Sequence, residues 1–135
     1  MDMEIVFPGV GKRVDVKYRG FLIKTDQPVF AGGNGEAPAP FDYFLASIGA
    51  CAGIYVLSFC EQRGLDYKNI KLVQKHEFDP KKRMISKITI EIQLPEDFPE
   101  KYKKALIHAA NLCAVKQHMF DPPEFDIQTK TVPSE

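Results

Sequence analysis

An uncharged run of 18 residues, 43–60, constrains this 135-residue chain more than any other feature. Pro38 and Pro40 precede the run, and proline fits the first turn of a helix, where its missing N–H would be unpaired anyway. Gly64 follows it, at the place where a left-handed C-terminal cap is expected. These signals predict a long helix over residues 41–63.

The interior of this predicted helix is apolar on every side and is interleaved with glycine, alanine and serine. A helix of this kind is typically buried, and small residues allow other backbone segments to approach it closely. The run is also just long enough to span a bilayer. Its flanks are Asp42 and Glu61, without a one-sided excess of Lys or Arg. We therefore expect a buried central helix and no membrane span.

Alternation of apolar and polar residues predicts short antiparallel strands around that helix. The alternation covers residues 13–18 before the helix and 87–94 after it, and residues 21–23 and 70–78 are predicted to form further short strands. Residues 125–128 show the same alternation and predict a final strand.

A second helix is predicted after Pro95 and Pro99, and it continues or restarts through His118. Residues on it recur at steps of four, three and four and form one apolar stripe: Tyr102, Leu106, Ala109 and Cys113.

The order of elements predicts an α+β fold with small antiparallel sheets around a long buried central helix. No repeat or linker divides the chain, so residues 1–135 form a single domain in this interpretation. The central helix has more apolar surface than one small sheet can cover. A second copy of the chain would cover the remainder, which predicts a homodimer.

Composition excludes several classes of function. Lys plus Arg and Asp plus Glu both number 18, so the near-zero net charge gives no general attraction to nucleic acid. The N-terminus shows no basic start followed by an apolar run, so we expect no signal peptide and a cytoplasmic location. In a reducing cytoplasm a functional disulfide is transient and catalytic.

Helical geometry limits how the three cysteines can pair. Cys60 follows Cys51 by nine residues on the same predicted helix, which places it on the opposite face and about 13 Å along the axis. A disulfide needs Cα atoms within about 7 Å, so these two cannot join. Cys113 can in principle reach Cys51, although geometry alone does not require it. Cys60 is expected to have a packing role.

Cys51 itself has two interpretations from its local sequence. Gly49 and Gly53 and the alanines between them leave room for a ligand or a second sulfur. The alternative is a small apolar residue in a tight helix contact, since free cysteine is among the most buried residue types.

Other catalytic patterns are absent from the sequence. His108, Cys113 and His118 are spaced five and five, whereas metal ligands on one helix face are three or four apart. No phosphate-binding loop, dinucleotide motif or serine nucleophile elbow is present. We expect neither a metal nor a cofactor.

Two segments resemble the OsmC/organic hydroperoxide resistance family. Residues 33–51 resemble the segment that leads to the family's first cysteine, with a Gly/Asn-rich loop, prolines, an acid and a small-residue run ending in Ala50-Cys51. Residues 109–115 resemble the segment around its second cysteine, Cys113. The element order and the roughly sixty-residue gap between the cysteines also agree.

The resemblance implies an intertwined homodimer that acts as a thiol-dependent peroxidase. Cys51 would attack an organic hydroperoxide and become a sulfenic acid, and Cys113 would resolve it as a disulfide. An external dithiol would then reduce the disulfide. The attacking sulfur must be a thiolate, and in the peroxidase branches an arginine stabilises it while an acid orients that arginine.

Candidates for those two supporting roles are Arg19, with Arg13 as a rival, and Asp42. Asp42 is one methylene shorter than the family's Glu, and it is equally an ordinary first-turn acid. Ala114 stands where the peroxidase branches often have proline. A non-enzymatic module that binds a small ligand in the same cleft, or a slow redox sensor, is therefore the alternative function.

Overall fold

The N-terminal part of the chain forms a three-stranded antiparallel sheet. The computed structural model describes residues 2–134. Strands β1 (Glu4–Val6), β2 (Val14–Tyr18) and β3 (Phe21–Thr25) lie in that order, with β2 in the centre. Val16 of β2 lies opposite Ile5 and Ile23. The two strands predicted here are confirmed, and β1 adds a third that was not predicted.

The long helix predicted for residues 41–63 is confirmed as α1 (Pro40–Gln62). Its first turn is closed by Asp42, whose Oδ2 accepts a hydrogen bond of 2.9 Å from the N–H of Ala39. Beyond its C-terminus Gly64 has a φ of 64°, the left-handed conformation that glycine adopts without strain. Local capping chemistry thus sets both ends of the helix.

A hairpin and two short helices follow α1. Strands β4 (Lys71–Asp79) and β5 (Met84–Gln93) pair in a separate two-stranded sheet. After a 3₁₀ turn at Glu100–Tyr102, the chain forms α2 (Lys103–Ala110) and α3 (Ala114–Phe120). The α+β class, the small antiparallel sheets and the long helix are all as the sequence predicts.

The chain divides into two compact units. The first contains the three-stranded sheet, α1 up to Ala50 and the hairpin segment Val73–Ile90. The second contains Cys51–Leu72 and the chain from Glu91 onward. Five buried residues form the core of the second unit: Val56, Phe59, Cys60, Phe98 and Leu106. Cys60 is completely buried there, in agreement with its expected packing role.

The predicted final strand at residues 125–128 is wrong. The described residues beyond Asp121 have no helix or strand, and Phe125 and Ile127 are 87% and 96% exposed. A strand needs a neighbour that accepts its backbone hydrogen bonds, and alternation of side chains alone does not supply one.

Much of α1 stays exposed within a single chain. By length and apolarity the helix could cross a membrane, a property shared by the core helices of soluble proteins. Of its most apolar 18-residue stretch, 28% is buried. Ile54 is 54% exposed and Phe44 40%. The helix therefore presents an apolar face that its own chain does not cover.

A buried carboxylate organises the loop that leads into α1. Asp26 is completely buried, and its oxygens accept hydrogen bonds from the N–H groups of Gln27 (2.7 Å) and Glu36 (3.1 Å). The bond from Glu36, followed by that from Gln27, lowers the pKa of Asp26. The N–H of Asp26 in turn donates to the carbonyl of Pro38. The loop thus closes on itself immediately before the helix begins.

We expect Gly33→Ala to lower the free energy of unfolding by about 3 kcal/mol, since a side chain forced into a packed site costs about that much. A Cβ at this position would lie 2.0 Å from the carbonyl oxygen of Gln27, and that oxygen belongs to the backbone and cannot rotate away. Urea unfolding followed by circular dichroism measures the effect, with Ala31→Ser at an exposed position of the same loop as the control. Equal unfolding midpoints for the two variants would contradict the packing described for this loop.

Candidate functional site

Cys51 lies in the middle of α1 and is partly exposed. Gly53, two residues further on, has no atom within 4 Å of the position that a Cβ would occupy. At Gly49, two residues before Cys51, a Cβ would instead lie 2.5 Å from the side-chain Oε1 of Gln74, so only one of the two flanking glycines borders open space. The interpretation of Cys51 as a tightly packed core residue does not fit this exposure.

The prediction that Cys113 lies on the apolar stripe of the second helix is wrong. Helix α2 ends at Ala110, and Cys113 is the N-cap residue of α3, with φ −59° and ψ 123°. This extended conformation separates the two helices and points the first N–H groups of α3 outward from the helix end. Cys113 is 2% exposed. The helix thus restarts, which was one of the two alternatives that the sequence left open.

The structure brings Cys51 and Cys113 close enough together for each thiol to shift the pKa of the other. The N–H groups of Val115 and Ala114, in the first turn of α3, also donate to the sulfur of Cys51. Both cysteines are free thiols. The N–H of Val115 also favours the charged form of Cys113, so it is shared between the two cysteines.

These contacts separate the pKa values of the two thiols. The N–H of Val115 is the main cause that lowers the pKa of Cys51 below its ordinary value, and the thiol of Cys113 and the N–H of Ala114 add to it against the opposing effect of burial. Burial is the main cause that raises the pKa of Cys113. Of the two thiols, Cys51 is therefore the one that ionises more readily.

Alkylation by iodoacetamide should therefore distinguish the cysteines by pH. Because the pKa of Cys51 is lowered, its alkylation rate should stay high as the pH falls below about 8.5, the ordinary pKa of cysteine. The rate should decline only at lower pH. Cys113 should reach a comparable alkylation rate only at a higher pH than Cys51 does. Peptide mapping after short exposures gives each rate, and urea-unfolded protein is the control in which the difference disappears. The same midpoint for Cys51 in folded and unfolded protein would contradict the hydrogen bonding described here.

The supporting residues predicted from the sequence lie in the first unit. Arg19 has a φ of 49° at the turn between β2 and β3, and its guanidinium lies 5.0 Å from the ring centroid of Tyr18. Arg13, its rival, forms a two-pronged ion pair with Asp15, with both bonds from Nη2 at 2.9 Å. Asp42 caps α1. The roles of Arg19 and Asp42 toward Cys51 stay predictions.

Sequence reasoning missed the contributions of Ala114 and Val115. Both act through main-chain N–H groups, which any residue except proline possesses, so the residue type carries no signal. The break in helical conformation at Cys113 leaves these N–H groups without an acceptor inside the helix. The apolar periodicity of residues 102–113 continues through the break, so the sequence gives no sign of it. Among the described residues no group of three or more His, Cys, Asp or Glu side chains could hold a metal ion.

The sequence profile of the family described as OsmC-like protein matches residues 33–128, which include both cysteines. The fold and the cysteine pair are thus found together in a chain that belongs to the OsmC-like protein family. A search of curated protein sequences finds no significant match.

Solved structures share the fold at low sequence identity. A Psychrobacter arcticus protein named for osmotic stress induction and a detoxification response is 21% identical, with a TM-score of 0.73 over 87% of this chain and 86% of the other. An OsmC-like protein from Mycoplasma pneumoniae is 12% identical, with a TM-score of 0.69 over 90% and 87%. An organic hydroperoxide resistance protein OsmC from Legionella pneumophila is 14% identical, with a TM-score of 0.54 over 88% and 89%.

Proposed function

We propose that the protein is a thiol-dependent peroxidase that reduces organic hydroperoxides. One observation carries the proposal: a partly exposed Cys51 lies close enough to a buried thiol, Cys113, for each to shift the pKa of the other, and it accepts hydrogen bonds from two backbone N–H groups. A nucleophile and a resolving thiol need this contact. The family and the name of the Legionella relative support a redox function.

The reaction has three steps in this proposal. The Cys51 thiolate attacks one oxygen of the hydroperoxide, the O–O bond breaks, and the products are the sulfenate of Cys51 and an alcohol. After protonation, the thiol of Cys113 attacks the sulfenic acid, which forms the disulfide and releases water. An external dithiol reduces that disulfide by exchange and is itself oxidised. The pathway needs the reducing cytoplasm as the source of the dithiol.

An alkyl peroxide suits the surroundings of Cys51 better than hydrogen peroxide does. Ile54 lies three residues beyond Cys51 and Phe44 seven residues before it, so both are on its helix face. Both side chains are partly exposed in a single chain. Their apolar surface can bind the organic group of a substrate.

Steady-state assays with dithiothreitol test the proposed function. We expect repeated turnover of cumene hydroperoxide, with a kcat/KM about tenfold or more above that for hydrogen peroxide; one methylene group in an apolar pocket already gives a factor of that size. Oxidation of one equivalent without turnover would favour a redox sensor. No oxidation at all would favour a ligand-binding module.

We also propose that the protein works as a homodimer. The exposed apolar face of α1, with Ile54 and Phe44, is the kind of surface that a soluble protein normally covers by association. In such a dimer the face that carries Cys51 would lie at the subunit interface.

Sedimentation equilibrium tests the dimer, and the expected mass is twice the 15.3 kDa of one chain. Ile54→Glu should shift the mass toward one chain, because a charge on this face opposes burial. Glu61→Gln, at an exposed position of the same helix, is the matched control. A single-chain mass for the unmodified protein would contradict the dimer proposal.

A further inference from the structure

Two side-chain hydroxyl groups lie one helical turn from Cys51 along α1. Ser47 is four residues before it and Tyr55 four residues after it. Residues four apart share a helix face, with Cβ atoms about 5–6 Å from each other. The Oγ of Ser47 donates a hydrogen bond of 2.6 Å to the carbonyl oxygen of Phe44, so its proton is held by the helix backbone. Tyr55 is the hydroxyl on this face that is not held in that way.

The phenol oxygen of Tyr55 has no hydrogen-bond partner among residues 2–134. The residue is half-buried and belongs to the same compact unit as Cys51 and Cys113. Within the same described residues, no side-chain oxygen or nitrogen is both buried and unpartnered. The hydroxyl is therefore accessible to a small molecule. Because a helical side chain covers the turn N-terminal to its own Cα, the Tyr55 ring lies toward the turn that carries Cys51.

We propose that Tyr55 is a catalytic residue that protonates the leaving oxygen of a hydroperoxide attacked by Cys51. The inference rests on the proposed function. As the Cys51 sulfur bonds to the terminal oxygen, the O–O bond breaks and its electron pair goes to the oxygen that carries the alkyl group. Tyr55 gives its proton to that oxygen and takes one from the O–H now bound to Cys51. The products are the sulfenate and an alcohol, and tyrosine is among the side chains that act as general acids.

Two oxidants with different leaving groups test this role. An alkoxide, which leaves from cumene hydroperoxide, is a strong base and needs a proton, whereas acetate, which leaves from peracetic acid, is a stable anion. Stopped-flow measurement gives the first-turnover rate with each. Tyr55→Phe should react about 10²-fold more slowly with cumene hydroperoxide, the usual size of a general-acid contribution. Its rate with peracetic acid should stay close to that of the wild type.

Tyr67→Phe is the matched control, because it removes the hydroxyl of another half-buried tyrosine that packs against the core of the same unit. Both of its rates should equal those of the wild type. Phenylalanine keeps the ring and its packing at each position, and circular dichroism verifies the fold.

An unchanged rate of Tyr55→Phe with cumene hydroperoxide would overturn the inference. Equal slowing with both oxidants would also overturn it, because a purely structural role affects both reactions. A wild-type protein that reacts with neither oxidant would refute the proposed function together with this inference. An active wild type with an unaffected Tyr55→Phe would refute the inference alone.

Discussion

Cys51→Ser is expected to reduce the consumption of cumene hydroperoxide by at least about 10³-fold. This corresponds to about 4 kcal/mol of lost transition-state stabilisation. Serine keeps the size and the hydrogen-bonding capacity of the side chain, but its hydroxyl does not ionise under these conditions and is a weak nucleophile. The hydrogen bonds that hold the pKa of Cys51 below its ordinary value have no thiolate to stabilise in this variant.

Cys60→Ala is the matched control for this experiment. Cys60 lies on the same helix but is completely buried in the core of the second unit, where burial raises its pKa. The substitution should cost about 1 kcal/mol of stability through a small cavity and leave peroxide consumption close to that of the wild type. Activity that survives in Cys51→Ser, or disappears equally in Cys60→Ala, would contradict the role given to Cys51.

Cys113→Ser is expected to separate the first oxidation from the turnover that follows. The first equivalent of peroxide should still be reduced, because the serine hydroxyl can donate to Cys51 in place of the thiol. No disulfide can then form, so Cys51 sulfenic acid should accumulate. Steady turnover with dithiothreitol should fall on the order of 10²-fold, because an external thiol replaces one already held against the sulfenic acid.

Stopped-flow measurement of the first turnover and trapping with dimedone test this expectation. The adduct should appear on Cys51 in Cys113→Ser and be scarce in the wild type, where resolution is fast. Equal steady turnover in the two proteins would show that Cys113 does not resolve the sulfenic acid.

Local signals predicted α1 well. The prolines before it and Gly64 after it determine where a helix can begin and end, and the observed bounds differ from the predicted ones by one residue at each end. These signals depend on residues within one or two turns of the helix ends, so no knowledge of the rest of the fold is needed.

Features that depend on distant partners were predicted less well. The apolar stripe that includes Cys113 follows the periodicity of an α-helix. In the structure, however, α2 ends at Ala110, and the Cys113 thiol lies against Cys51. Contact with a distant helix overrides a local preference of a few tenths of a kcal/mol per residue. The strand predicted at residues 125–128 fails for a related reason, since pairing is not encoded in one segment alone.

In the candidate site, too, the sequence predicted some features and not others. The sequence identified Cys51 and Cys113 because cysteines are few and helical geometry excludes Cys60 as the partner of Cys51. The main-chain donors of α3 could not be identified, because a backbone N–H has no residue signature. Ala114, noted as a departure from the proline often found in the peroxidase branches, supplies one of those donors.

The most direct test of the central claim is a cysteine count after oxidation. The wild-type protein receives one equivalent of cumene hydroperoxide, remaining thiols are labelled after quenching, and intact mass and peptide mapping locate the losses. The account predicts rapid loss of two thiols per chain and a Cys51–Cys113 disulfide, with Cys60 still labelled. Retention of all three thiols, or slow loss without preference among them, would contradict it.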